Sequence, residues 1–146
     1  MHKQDWHSQV SNSRKLCTYY SVKSCFGYEK YLDVLNIRRF RFIYVSFRTS
    51  SHDLEIEKGR YNDIPRDRRL CKVCQIECIE DEYHFLLVCD FYDELRSQYI
   101  PQKYITNPNV NKFRILMSSS NVAIVKGVST YLYYAFNKRN VRIEEC

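Results

Sequence analysis

Apolar residues recur at helical spacing along most of the chain. Tyr28, Tyr31, Leu32 and Leu35 occupy i, i+3, i+4 and i+7 positions, which predicts a short helix broken at Asn36. Ile37, Phe40, Tyr44 and Phe47 repeat the pattern, with Arg38, Arg39, Arg41 and Arg48 around the rim. The β-branched and aromatic content there leaves a strand open as the alternative. Residues 50–69 show no such period and hold Gly59, Asn62-Asp63 and Pro65, so an irregular segment is expected. Glu80, Asp81 and Glu82 then precede the apolar run Tyr83–Val88, placing acids where a helix N-terminus favours them. Asp90 is positioned to cap a helix carrying Phe91, Leu95 and Tyr99 and stopped by Pro101. Asn107-Pro108 reads as a cap followed by proline at the first helical position, opening a helix that buries Val110, Phe113, Leu116 and Met117. A last helix puts Val125, Val128, Leu132, Ala135 and Phe136 on one face and ends in Lys138-Arg139. The short link at 118–121 makes these two an expected C-terminal αα-hairpin. Residues 1–13 are polar and expected to be flexible, residues 14–140 to form one helical domain, and residues 141–146 to be a tail.

Composition narrows the fold class. With 146 residues, 45% of them hydrophobic, the chain can bury one core. Only three glycines and three prolines exclude collagen-like and Pro-rich disordered chains and argue against a turn-rich β-sandwich. Neither GxGxxG nor GxxxxGK[ST] occurs, which weakens a glycine-rich nucleotide cradle. The expected architecture is mainly α, with a small zinc knuckle (a short hairpin plus a helix) embedded between helices.

Cysteine placement supplies the candidate chemistry. Of seven cysteines, four fall within residues 71–89, which is not the even spread of a disulfide framework. The N-terminus lacks the apolar stretch of a secretory signal, and no run is long enough to cross a bilayer, so an intracellular compartment, nucleus or cytoplasm, is expected and no membrane partner. Under reducing conditions, Cys71-x2-Cys74-x9-His84-x4-Cys89 reads as a metal site. Three thiolates and an imidazole close a tetrahedral shell around one structural Zn2+ and leave no open position for catalysis. Soft sulfur donors favour zinc over magnesium or calcium. Buried apolar cysteines beside a chance histidine are the competing reading, and Cys78 could replace Cys74 or Cys89. A zinc deaminase is disfavoured, because no His-x-Glu precedes the Cys-x2-Cys pair. Cys17, Cys25 and Cys146 are expected to be free thiols.

Charge adds a partner class. The net +6 is uneven: residues 37–70 carry nine Lys/Arg against five Asp/Glu, residues 71–100 two against seven, and residues 101–146 seven against two. The cysteine cluster is thus an acidic island between basic flanks. Guanidinium groups pair with phosphate, so Arg48, Arg60, Arg68 and Arg69 are candidate nucleic-acid contacts, with Tyr61 and Phe47 as candidate stacking residues. A solvated basic face over core aromatics is the bland alternative. His52 reads as a turn histidine bonded to backbone. No Ser/His/Asp or Cys/His pair has the context of a nucleophile, so no catalytic residue, enzymatic activity or small-molecule substrate is expected.

A family resemblance rests on longer strings. The run Phe47-Arg48-x-Ser50-Ser51-His52-x-Leu54-x-Ile56-Glu57-x-Gly59-Arg60-Tyr61 resembles the segment before the zinc-binding motif of non-LTR (LINE-type) retrotransposon reverse transcriptase polyproteins. Arg69-x-Cys71-x2-Cys74 and Glu80-Asp81-Glu82-x-His84-Phe85-Leu86-Leu87-x-Cys89 resemble that motif itself. Phe91-Tyr92-x3-Arg96, Phe113-x2-Leu116-Met117 and Ala135-Phe136-x2-Arg139 continue the pattern. Lys15-Leu16-x-Thr18-Tyr19 and Phe26-x2-Glu29-x-Tyr31-Leu32 are similar to the segment upstream. The resemblance implies a module from the C-terminal region after the polymerase, in which Cys71, Cys74, His84 and Cys89 hold zinc and the domain helps to hold template RNA or target DNA. The polymerase Tyr/Phe-x-Asp-Asp motif and an endonuclease are missing from this chain, which begins with its own Met, so it resembles a detached tail and polymerase activity does not carry over. A zinc-stabilised domain that docks on a polymerase or another protein, and a functionless truncated copy, are the other readings.

Overall fold

The structure, a computed structural model, describes residues 3–23 and 27–146, and among these it is mainly α-helical without a β-strand. Phe26 and Cys25 lie outside the described residues. Helix α1 (Lys3–Asn12) occupies the segment expected to be flexible and buries Val10. α2 (Cys17–Val22) follows, then the single turn α3 (Tyr31–Val34), shorter than its periodicity predicted because Tyr28 stands exposed outside it. α4 (Arg38–Arg48) forms where expected and turns Tyr44 and Phe47 inward.

Residues 50–69 depart from expectation. They contain α5 (Glu55–Tyr61) and a 3-10 turn at Arg66–Arg68. Gly59 concealed this helix from the sequence pattern, and its role is spatial. A β-carbon there would lie 2.4 Å from Cγ of Arg69, whose side chain crosses the helix to donate to the carbonyls of Ile64 (2.9 Å) and Ile56 (3.1 Å).

The remaining helices are α6 (Asp93–Tyr99), α7 (Gln102–Ile105), α8 (Val110–Ser118) and α9 (Val122–Glu145). Side-chain caps start the last two. Asn109 accepts from the amide of Lys112 (2.9 Å) and Asn121 from that of Ile124 (3.2 Å). The cap of α8 is thus Asn109 rather than Asn107. Asn107 takes a left-handed turn (φ 47°), a conformation asparagine tolerates. α8 packs chiefly on α2 and α7, whereas α9 packs on α3, α4 and α6, so the two helices expected to pair find their main partners elsewhere.

α9 is the spine. Val125, Val128, Tyr131, Leu132 and Ala135 are fully buried along it. Burying each large apolar side chain contributes about 1.5–3 kcal/mol. At its centre Phe136 stacks obliquely on Phe85 (ring centroids 4.5 Å apart), with Phe47 closing the aromatic group. Gly127 lets α9 approach α6, since a β-carbon there would lie 2.4 Å from the carbonyl oxygen of Tyr99. The helix also runs past Lys138-Arg139, where it was expected to end. Arg139 is buried, not a solvent-facing C-terminal charge.

Candidate metal centre

The Cys-x2-Cys loop is clipped at its base. An antiparallel bridge joins Leu70 and Ile79, the Cys71 amide donates to the Cys78 carbonyl (2.9 Å), and the Glu80 amide donates to the Arg69 carbonyl (2.9 Å). These bonds fold residues 71–78 back on themselves and aim Cys71 and Cys74 at one point.

The opposite pair of donors comes from a wide turn. Asp81 accepts from the His84 amide (2.8 Å) and so caps the segment, a specific bond where the sequence pattern predicts only a favourable charge at the helix N-terminus. Residues His84–Val88 then wind as a π-helical turn, closed by the Cys89 amide donating to the His84 carbonyl (2.8 Å). The width matters. An α-helix has 3.6 residues per turn, so five steps would overshoot by roughly 0.4 of a turn and splay the two side chains. The i→i+5 closure brings both to one side.

All four donors meet. The ligand atoms of Cys71, Cys74, His84 and Cys89 lie within 4.8 Å of one another and could hold a metal ion. Cys74 Sγ is 3.5 Å from His84 Nε2. His84 and Cys89 are buried while Cys71 and Cys74 are half-buried, so the site opens on its loop side. Hydrogen bonding from Cys89, opposed by burial and aided by His84, holds the Cys71 thiol down to about 3, while the same contact pushes the Cys89 thiol up. Three thiols and an imidazole at this range form a donor set that suits a soft cation. Cys78 contributes its carbonyl to the loop and its sulfur is not among the converging donors.

A second layer ties this cluster to the core. Glu80 Oε1 lies 3.8 Å from Cys71 Sγ and is gripped by Arg139 through two 2.8 Å hydrogen bonds, one to each carboxylate oxygen. Glu80 also accepts from the Glu55 amide (2.7 Å), so one buried carboxylate joins the clip, α5 and α9. Burial opposes the charge on Arg139, but the hydrogen bonds and charge of Glu80 outweigh it and hold its pKa above the ordinary value. On the other side Arg96, also buried, donates to the carbonyls of Leu86 (2.9 Å) and Cys89 (2.7 Å), and its guanidinium pairs with Asp93. It holds the end of the π-turn, whose carbonyls a wide turn leaves without regular partners. His52 behaves as the turn histidine expected, with Nδ1 accepting from the Leu54 amide (3.4 Å), and its Nε2 lies 3.0 Å from Glu82.

The expected nucleic-acid contacts separate. Arg48 is buried, donates to the Met117 carbonyl and lies 3.7 Å from Glu29, with its guanidinium over the Tyr31 ring, so it serves the interior and cannot reach a surface phosphate. Phe47 is likewise fully buried and cannot stack on a base. Arg69 spends its guanidinium on backbone carbonyls, and Arg60 pairs with Glu57 (2.9 Å). Arg68 is exposed, and Tyr61, 80% exposed, stands beside the Arg60 guanidinium.

Other cations gather from stretches that are not adjacent along the chain. Arg14 and Lys15 before α2, Arg60 and Arg66 around α5, and Arg114 on α8 line one cleft of about 790 Å³. Of its four carboxylates, Glu57 is engaged by Arg60, Asp81 by Arg66 (3.7 Å) and Glu82 by His52, while Asp63 has no cationic partner among the described residues; Arg14, Lys15 and Arg114 have no carboxylate partner among them either. Among the described residues no helix is long and apolar enough to cross a membrane. No family model, curated protein or solved structure matches the chain.

Proposed function

We propose that the chain is a non-catalytic, intracellular module in which Cys71, Cys74, His84 and Cys89 hold one structural Zn2+ in a knuckle, and whose basic cleft binds the phosphate backbone of RNA or DNA. Zinc is the cation best suited to three thiolates and an imidazole in a closed, tetrahedral set. The observation that carries the nucleic-acid reading is the convergence of the adjacent Arg14 and Lys15 with Arg114, remote from them in sequence, on one cleft where none of the three has a carboxylate partner among the described residues. Cations left unpaired after folding are the ones free to displace counterions from a polyanion. The resemblance to the tail of non-LTR retrotransposon reverse transcriptases points the same way.

Two measurements test the proposal. Metal content by mass spectrometry should give one zinc per chain, and Cys74→Ser should lose it; unchanged stoichiometry in the variant overturns the assigned shell. Affinity for RNA and DNA oligonucleotides should fall steeply with salt. Three phosphate contacts on a single strand correspond to a log–log slope of about −2. The Arg14→Ala, Lys15→Ala, Arg114→Ala triple variant should flatten that slope, and an absence of binding to either polymer at low salt overturns the reading.

A further inference from the structure

A second groove, of about 580 Å³, lies between α4 and α9 on the far side of the Ser51-His52-Asp53 turn from the basic cleft. Several of its polar side chains are idle, although His52 is engaged by Glu82 and the exposed Asp53 also lines the groove. Arg38, Asn137 and Asn140 make no side-chain hydrogen bond or ion pair among the described residues, and Arg39 touches only the rings of Phe40 (5.0 Å) and Tyr133 (5.5 Å). Phe42 stands in the same groove 71% exposed, with no ring packed on it among the described residues. A helix that hides Tyr44 and Phe47 while presenting Phe42 has an apolar ring to spare.

The two grooves are joined. A smaller depression of about 290 Å³ lies between them. It shares Lys15, Ser50 and Glu57 with the basic cleft and Ser51, His52 and Asp53 with the α4–α9 groove, and exposed Tyr61 stands on its wall. One track therefore leads from unpaired cations, past one exposed ring, to a second exposed ring flanked by two arginines and two free amides.

We infer that this track takes a single strand of nucleic acid, with the backbone in the Arg14–Arg114 cleft and unpaired bases on Tyr61 and in the Phe42 groove. The inference rests on the nucleic-acid reading above and adds to it the strandedness of the ligand and the site of its bases. The chemistry selects a single strand. A duplex hides base faces within its own stack, so Phe42 and Tyr61 can stack only on unpaired bases. Arg38 and Arg39 supply phosphate contacts beside the ring, and the Asn137 and Asn140 amides offer the paired donor and acceptor that base edges use. A protein-docking face is the weaker match, because the groove is continuous, through the depression beside Tyr61, with the cleft that holds the unpaired cations.

The test is fluorescence anisotropy with the full, zinc-loaded chain. The probes are labelled oligothymidylate and oligouridylate of about 15 nucleotides, within the range that single-strand binders occupy, and a mixed-sequence duplex of equal length. Single strands should bind at least about tenfold tighter than the duplex. Phe42→Ala, a surface change, should weaken single-strand binding roughly fivefold to a hundredfold, the span that one stacked base is worth, and leave duplex binding unchanged. Phe42→Trp should restore it. Equal affinity for duplex and single strand, or Phe42→Ala binding both like wild type while the Arg114→Ala variant loses affinity, overturns this inference and leaves the proposed function standing. No binding to any probe overturns both. Self-association lost on Phe42→Ala with single-strand affinity unchanged makes the groove a protein interface and also overturns the inference.

Discussion

The clip at residues 71–89 and the arginine-rich stretch at residues 38–69 put similar local density of reactive side chains to opposite uses. In the clip, two thiols from a bridged loop and two donors from a π-turn converge on one point, and Glu80, Arg139 and Arg96 brace that point from behind. In the arginine-rich stretch the side chains diverge. Arg48 turns inward under Tyr31, Arg69 spans Gly59 to reach carbonyls, Arg60 pairs along its own helix, and Arg38 and Arg39 stay outside. A metal cluster is defined by what converges, whereas a basic surface is defined by what folding leaves unpaired. A count of arginines in a segment therefore says little about where a polyanion would lie.

That contrast can be broken in decreasing order of effect. Removing metal should be most severe. A chelator added to zinc-loaded protein should abolish the cooperative thermal transition followed by circular dichroism, because binding in small zinc domains is worth on the order of 10–16 kcal/mol. Retention of the transition without metal would place the clip outside the folding unit. Next comes the brace. Arg139→Met leaves the buried Glu80 without its partner and should destabilise by about 3–5 kcal/mol in denaturant titration. Gly59→Ala should cost roughly 1 kcal/mol: the displaced Arg69 loses two bonds of about 1 kcal/mol each, partly offset by the better helix propensity of alanine. Arg114→Ala should be smallest, within about 0.5 kcal/mol, since an exposed arginine without a partner contributes little to folding. If Arg114→Ala destabilised as much as Arg139→Met, the division between bracing and idle arginines would be wrong.

Legibility from sequence follows the same division. The helices α4, α8 and α9 were readable because their apolar periods are unbroken, and the clip was readable because the Cys-x2-Cys spacing encodes a tight turn. The π-turn was not, since its i→i+5 closure leaves no mark in residue type, and the five-residue spacing of His84 and Cys89 is equally consistent with an ordinary helix end. α5 was masked by Gly59, which looks like a breaker and is there to make room for Arg69. Arg139 read as a helix-terminal charge because its partner Glu80 is remote in sequence, and Arg48 read as a surface contact because a rim position on a helical wheel does not reveal that α3 and α8 cover it. The basic cleft was invisible for the same reason, being assembled from three separate stretches.

The π-turn that presents His84 also drives Phe85 into the aromatic centre, where the Phe85 carbonyl accepts from the Tyr131 hydroxyl (2.6 Å). Donor and core are therefore neighbours on one backbone turn, with no hinge between them. Ligation of a cation there would make binding and folding a single linked equilibrium, in which a cation held only by the native state adds stability by mass action. Free metal at a hundred times its dissociation constant contributes about 2.7 kcal/mol, and each further tenfold about 1.4 kcal/mol more. The melting temperature of such a domain is a reading of the metal concentration around it.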